Sequence, residues 1–338
     1  MIASVAFRNF RALRATSVAL GPFNIVIGPN GSGKTSLIEV LLRLGELARH
    51  ATAGAPPVPA ADAPASARHH RDAAPEIGFV LASQPGVVVR MIRGADRRRD
   101  HVVLDPPDGH LWSEIQPLLA DTRGYVLDHA AMARTAPRRG GMHLNSDGGN
   151  LAAVLAGMRQ RSPASFSALT AEMLRITPEF HSLELAEHAD GRVEFGLRLA
   201  DDGLVPAAEM SQGMLYLLAM LALAFDPNPP RLLCIEDVDR GIHPRMLREV
   251  RDALYRLSHP QASGLRRAPV QVIATTHSPY FLDLFREHPE EVILSQKQGR
   301  AARFERLSDR PDLPELLREG SLGDMWYSGI LGGVPDDA

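Results

Sequence analysis

Gly28-Pro29-Asn30-Gly31-Ser32-Gly33-Lys34-Thr35 is the stretch on which the reading of this chain turns. It fits the pattern G-x-x-x-x-G-K-[ST]. A short apolar stretch of strand type, Phe23 to Ile27, precedes it, and an apolar run at helical spacing, Leu37 to Leu47, follows it. That strand–loop–helix context is the one in which the pattern carries meaning. Glycines let backbone N–H groups turn inward around phosphate oxygens, and the helix N-terminus adds the positive end of its dipole. Lys34 supplies a mobile point charge to the β- and γ-phosphates, and the Thr35 hydroxyl can ligate Mg²⁺.

Working outward, the chain has 338 residues, a 45% hydrophobic content and a net charge of −3, which describes a globular protein with a real core and no global basic field. Of its 37 basic residues, 35 are Arg and only two are Lys, Lys34 and Lys297. The bias reads as compositional drift. Lys34 is where Arg would be chemically costly, because the loop needs a compact ammonium and not a planar fork. Lys297, in SQKQGR, shows no such role and reads as incidental. A single Cys, Cys234, excludes an internal disulfide framework and a multi-cysteine zinc site. Charges interrupt the N-terminal MIASVAFRNFR where a signal peptide needs its apolar stretch, and the longest apolar run, Met214 to Phe225, is 12 residues. A cytoplasmic protein with no membrane partner is expected.

Residues 2–8 and 14–20 alternate in the manner of a hairpin. Residues 51–75 are Ala/Pro-rich with almost no large apolar side chain and read as a flexible insertion. Strand-like segments occupy 76–130, and 150–180 reads as two helices. Strands return at SLELAEH and VEFGLRLA. From 211 the order is a long helix, strand LLCIE, a helix over 244–258, strand VQVIATT, a helix over 279–286 and strand EVILS. That alternation predicts a parallel α/β sheet. No heptads run long enough for a coiled-coil arm.

Three further segments carry chemistry. Leu232-Leu233-Cys234-Ile235-Glu236-Asp237 is an apolar strand ending in two carboxylates, suited to hold a metal through Glu236 and to orient or deprotonate an attacking water through Asp237. Met210-Ser211-Gln212-Gly213 precedes the long apolar helix, and Ser with a nearby Gly at a helix N-terminus makes a second anion cradle. One chain needs one cradle for its own nucleotide, so the second suggests a site presented to another subunit's phosphates. Thr275-Thr276-His277-Ser278-Pro279 ends a strand with a His able to donate to a γ-phosphate.

The set GPNGSGKT, MSQG, LLCIEDVDRGIHP and TTHSP resembles the ABC-type ATPases of the RecF/SMC-like group, and looks closest to stand-alone bacterial members. FRNFRAL, SDGGNLAAVL (146–155) and SLGDMWYSGILGG (321–333) also look like segments of those members. The resemblance implies an α/β P-loop NTPase fold of ABC type, with a mixed β lobe, a parallel-sheet lobe and a helical middle segment. It implies one ATPase domain over 1–338: lobe I in 1–50 and 76–140, interrupted by the 51–75 insertion, a helical and strand segment over 141–203, and lobe II over 204–338. It also implies ATP and Mg²⁺ as cofactors and a head-to-tail homodimer. Each composite site would use Gly28 to Ser36, with Gly28, Asn30, Gly31, Ser32, Gly33, Lys34, Thr35 and Ser36 binding nucleotide, together with Glu236, Asp237 and His277. Ser211 and Gly213 would come from the other subunit, and the metal ligands would be Thr35 and Glu236. The expected role is DNA repair or maintenance, or anti-phage defence, with DNA or an effector protein as partner. The alternative is an ATP-gated sensor or scaffold with weak hydrolysis.

The sequence departs from the family pattern at Glu236-Asp237-Val238-Asp239, where Glu-Glu-Pro-Glu is usual. Asp237 is one methylene shorter than the expected Glu, which predicts slow hydrolysis or hydrolysis only in an assembled complex. Gln84, Gln116 and Gln160 are all poorly placed to serve as the Q-loop glutamine. Asn9 and Arg11 suit contact with nucleotide or DNA by analogy, and suit a solvated hairpin equally. Arg97-Arg98-Arg99, with Arg93 nearby, is bracketed by Asp96 and Asp100 and reads as a solvated turn more than as a DNA contact. His69-His70 have no Cys nearby to make a metal site.

Overall fold

A computed structural model describes residues 1–50, 75–93, 100–140, 142–299 and 301–332. The expected insertion, apart from its last residue, lies outside the described residues, as do His69-His70 and Arg97-Arg98-Arg99.

The chain opens with β1 (Ile2–Phe10), β2 (Leu13–Ala19) and β3 (Phe23–Ile27), followed by α1 (Lys34–His50). Next come β4 (Glu76–Leu81), β5 (Gln84–Arg93), β6 (Asp100–Asp105), α2 (Gly109–Ala120) and β7 (Thr122–Tyr125). The middle holds α3 (His129–Met132), β8 (Ala136–Pro137), α4 (Leu151–Arg161), α5 (Pro163–Ile176), β9 (Phe180–Glu187), β10 (Arg192–Leu199) and β11 (Leu204–Pro206). Then follow α6 (Gln212–Ala224), β12 (Leu232–Ile235), α7 (Leu247–Ser258), β13 (Gln271–Thr276), α8 (Pro279–Asp283), β14 (Val292–Gln298), β15 (Ala301–Arg306), α9 (Leu313–Glu319) and α10 (Leu322–Tyr327).

Three sheets organise these strands. Five form the antiparallel order β2-β1-β4-β5-β6, and six form the order β15-β14-β3-β13-β12-β7. β3 pairs in parallel with both β13 and β14, and β15 closes one edge antiparallel to β14. The third sheet runs β11-β10-β8, with β9 also on β10. β3 is buried at all five positions, as a central parallel strand must be, which is why Phe-Asn-Ile-Val-Ile reads as a continuous run with no alternation. Its one polar residue, Asn24, donates to the carbonyls of Gly21 and Val272. Gln271 meets the same requirement at the start of β13. Its amide accepts from the Ile2 N–H and donates to the Ile2 and Gly21 carbonyls, pinning β1 to that strand's entry.

By contacts the chain divides into two compact units that interleave in sequence. The first contains Met1–Arg123, Pro230–Cys234 and Val270–Ala338, and the second contains Gly124–Pro229 and Ile235–Pro269. Within the first unit, β13 and β14 pair with β3 across some 250 residues of chain. In the first unit one core runs from α1 (Leu37, Leu41, Leu44) through Phe7, Phe79 and Trp112 to Cys234, Ile273 and Ile293. In the second, α6 is buried at every position from Leu215 to Ala224, which explains a helix without an apolar stripe.

Candidate nucleotide site

The phosphate loop belongs wholly to the first unit. β3 ends at Ile27 and α1 starts at Lys34, so the glycine-rich turn connects a buried strand to a helix N-terminus. Each glycine has a separate reason. A Cβ on Gly28 would lie 2.1 Å from the Ser295 carbonyl oxygen and 2.6 Å from Ser32 Oγ, so the loop is packed from behind by β14. Gly33 has φ +104° and Gly31 φ +75°, values that turn the backbone inward and that side chains resist. The turn is closed by Ser32 N–H donating to the Pro29 carbonyl (3.3 Å) and backed by Ser295 Oγ donating to the Ser32 carbonyl (2.7 Å).

Lys34 is buried, and its ammonium donates to the Gly28 (2.6 Å) and Pro29 (3.0 Å) carbonyls, which hold the charge over the turn. Ser32 is fully buried and its hydroxyl has no partner among the described residues. An orphaned hydroxyl, a buried ammonium and inward-turned amides at a helix N-terminus form a donor set that fits a phosphate chain. Asn30 and Thr35 are exposed at the lip, and Ser36 Oγ accepts from Arg11 (3.4 Å). Arg11 also pairs with Glu39 of α1, and both Asn9 (φ 53°) and Arg11 (φ 54°) adopt the left-handed region at the β1–β2 turn.

His277 is positioned in the same unit. Thr276 of β13 pairs with Ile27 of β3, so His277 and Gly28 leave the sheet at the same level from adjacent strands. Thr276 Oγ1 accepts from Ser278 N–H (3.0 Å), and Ser278 in turn caps α8 by accepting from Phe281 N–H (3.2 Å). His277 itself is exposed. SLGDMWYSGILGG has a structural purpose here: Gly323 N–H donates to Asp283, and a Cβ on Gly323 would lie 2.6 Å from the Pro279 carbonyl, so α10 clamps α8.

The second unit carries the acids and the serine-glycine turn. Glu236 follows the last residue of β12 and its N–H donates to the Tyr125 carbonyl (3.0 Å). Asp237 stands at φ 49°, a left-handed conformation that Asp tolerates better than most residues, and its carbonyl accepts from Arg240 N–H (2.9 Å). Ser211 is the N-cap of α6, its Oγ accepting from Met214 N–H (3.3 Å), and it remains exposed. A Cβ on Gly213 would lie 2.9 Å from the Gly241 carbonyl, and one on Gly241 (φ +67°) would lie 2.5 Å from the Gln212 side chain. The start of α6 is thereby packed against the loop that follows the two acids. Tyr216 lies one turn further along, donating to the Leu127 carbonyl (2.7 Å); burial raises its phenol above the usual value. SDGGN is structural too. Val126 and Asp128 N–H groups donate to Ser146 and Asp147, and Asn150 bridges Asn145 and His143.

Ser295, a serine breaking the apolar EVILS strand, carries no site signal in the sequence, and Gln212 and Gly241 stand within the MSQG and LLCIEDVDRGIHP motifs without a role of their own. The three glutamines considered for the Q-loop are scattered: Gln84 opens β5, Gln116 donates to the Ala48 carbonyl, and Gln160 accepts from Arg138.

Comparison with known proteins bears on the family and the fold. Residues 123–283 match the family described as "AAA domain, putative AbiEii toxin, Type IV TA system", and residues 1–76 match "AAA ATPase domain". The head of an SMC protein bound to the C-terminal winged-helix domain of ScpA superposes with a TM-score of 0.57 at 16% identity, covering 90% of this chain and 96% of that one. A second Smc head with an extended coiled coil, bound to the C-terminal domain of ScpA derived from Pyrococcus furiosus, gives 0.56 at 12% identity over 94% and 99%. Two AAA family models over parts of the chain, partial identity to RecF and the fold shared with SMC heads together support a RecF/SMC-like ABC-type ATPase. Its relatives include the DNA replication and repair protein RecF of Vibrio vulnificus strain YJ016, 47% identical over 45 residues, which are 13% of this chain and 12% of that protein. RecF of Erwinia tasmaniensis is 32% identical over 114 residues, 33% of this chain and 29% of that protein. The chain thus spans less than a third of the length of these curated relatives, while it spans nearly the whole of the SMC heads. Among the described residues no helix is long and apolar enough to cross a membrane, and no group of three or more His, Cys, Asp or Glu side chains is placed to hold a metal ion.

Proposed function

We propose that the chain binds Mg-ATP in the phosphate loop, hydrolyses it slowly, and dimerises head to tail when ATP is bound. The observation that carries this reading is the Gly28–Ser36 loop, with its buried Lys34 ammonium and unpartnered Ser32 hydroxyl. Backbone amides of Gly31 to Lys34 cradle the phosphates and Lys34 neutralises the β- and γ-oxygens. Thr35 and Glu236 hold Mg²⁺, which when bound neutralises charge on the phosphate oxygens. Asp237 takes up the proton of the attacking water, and His277 donates to the terminal phosphate. Ser211 and Gly213 meet the phosphates held by a second copy, so ATP acts as the adhesive and hydrolysis as the release. The printed name of the RecF relatives, DNA replication and repair protein, supports a role in DNA maintenance, and the description of the family matched over 123–283 as a putative toxin of a Type IV TA system keeps the defence role beside it.

ATP turnover and light scattering test this in three proteins. Wild type is expected to turn ATP over and to dimerise with ATP. Lys34→Ala loses both properties, and Ser211→Arg keeps nucleotide binding but stays monomeric. Turnover that persists in both variants overturns the reading.

A second reading, an ATP-gated sensor that controls an effector protein, rests on Asp237: one methylene shorter than Glu and held at φ 49°. Rapid wild-type turnover, together with an Asp237→Asn variant trapped as a dimer, would exclude a pure switch.

A further inference from the structure

We propose that Lys297 is a second phosphate-directed cation of the nucleotide site, acting on the α- and β-phosphates. The inference deepens the nucleotide reading above and rests on it.

Sequence alone marks Lys297 as incidental; the strand register reverses that judgement. β14 pairs in parallel with β3 through Leu294 and Ile27, so the residues that follow in β14 run alongside the loop. Side chains of a strand alternate between faces, so Ile293, Ser295 and Lys297 share one. Ile293 belongs to the core that α1 covers, and Ser295 Oγ donates to the Ser32 carbonyl at 2.7 Å. Lys297 therefore leaves β14 on the loop face, one pleat beyond the residue that backs the loop. The opposite face confirms the parity: the Gln296 side chain lies 3.3 Å from a Cβ built on Gly332, in the C-terminal segment.

Cross-strand pairing fixes how near Lys297 comes. It stands opposite Ala302 in a β14–β15 ladder without a register shift. Ala302 is buried, donates its N–H to the Ala12 carbonyl (2.8 Å), and places its Cβ 3.7 Å from a Cβ built on Gly33. Directly opposed side chains in a ladder have Cβ atoms about 5 Å apart. The four-carbon stem of lysine extends the ammonium on the order of 5 Å further, so it can reach a phosphate held at Gly33. Lys297 is exposed, and no side chain among the described residues bonds or pairs with it. In a chain with 35 Arg and two Lys, both lysines thus flank one loop.

Gly33 contributes to the part of the loop whose amides cradle the α- and β-phosphates, whereas Lys34 reaches the β- and γ-phosphates. Lys297 consequently serves ATP and ADP alike. Because its stem is solvated, its contribution is screened by salt.

The test uses the full chain with Mg²⁺ and measures ATP and ADP affinity by titration calorimetry for wild type, Lys297→Ala, Lys297→Gln and Lys34→Ala at low and high salt. The two Lys297 variants should lose about tenfold in affinity for both nucleotides at low salt, and less at high salt, with an unchanged melting temperature. A second readout exploits the scarcity of lysine. Amine-reactive acylation followed by mass spectrometry should label Lys297 readily in the free protein and several-fold less with ADP bound. Wild-type affinities in both Lys297 variants, or labelling of Lys297 indifferent to ADP, overturn the inference, and Lys34→Ala marks the loss expected of the loop itself. Absence of nucleotide binding by wild type itself overturns the nucleotide reading, and this inference with it.

Discussion

The two glycine turns of this molecule solve different problems. In the phosphate loop the constraint comes from behind: Gly28 is hydrogen-only because β14 lies against it, and the remaining glycines bend the amides toward one centre. In the serine-glycine turn of the second unit the constraint comes from the front. Gly213 is hydrogen-only because the Gly241 carbonyl of the acid loop lies against the first turn of α6. The first turn is a receptacle built on a sheet. The second is a coupling, which ties the exposed Ser211 to the loop that carries Asp237.

The comparison can be broken at its strongest point. Gly28→Ala must displace a strand backbone and should cost more than about 3 kcal/mol, lowering the melting temperature severely. Gly31→Ala, with φ +75° but nothing within 4 Å, should cost only about 1–2 kcal/mol from backbone strain. Equal losses in thermal or urea denaturation would show that packing behind the loop is not what Gly28 answers to.

Gly213→Ala sharpens the second half. It gains helix propensity but pushes on the Gly241 carbonyl, for a net loss of about 1–2 kcal/mol. Its distinguishing sign is altered hydrogen exchange at residues 237–242, with the Ala12–Gly33 region unchanged.

The smallest effect concerns α6. Burial holds the Tyr216 phenol neutral, with a pKa raised in the fold. Its stabilising contribution is complete below the ordinary phenol value of about 10 and falls as pH rises from there through the raised folded value. Tyr216→Phe should lose about 1 kcal/mol at neutral pH and show a flatter decline of melting temperature above about pH 10. Parallel alkaline profiles for the two proteins would contradict this.

Much of this was legible beforehand, for identifiable reasons. β3 was expected at Phe23 to Ile27 and stands there, because an apolar run closed by glycine has few alternatives. The two helices of 150–180 and the strands around Leu183 and Phe195 are present as well. The helix read over 244–258 begins as a tight turn at Pro244–Met246 and becomes α-helical only from Leu247, and the one read over 279–286 ends at Asp283. α2 was overlooked in a region read as strands. Trp112, Ile115 and Leu119 have helical spacing, but Pro117 inside the helix and the prolines before it obscure the period. β15 was overlooked because Ala-Ala-Arg-Phe-Glu-Arg lacks the β-branched residues that announce a strand. In the site, residue types were readable and close approaches were not. Nothing in local sequence says that Ser295 stands behind Gly28, or that Gly241 faces Gly213, since each pair is brought together by pairing or packing remote in sequence.

The central position of β3 has a consequence for biosynthesis. Both of its sheet neighbours, β13 and β14, are translated some 250 residues after it. Until they leave the ribosome, the glycine-rich turn has a helix on one side and no wall on the other. Loop closure over that distance is slow and leaves apolar strand surface waiting for partners. The wall behind the glycine-rich turn is therefore completed only as these last strands dock.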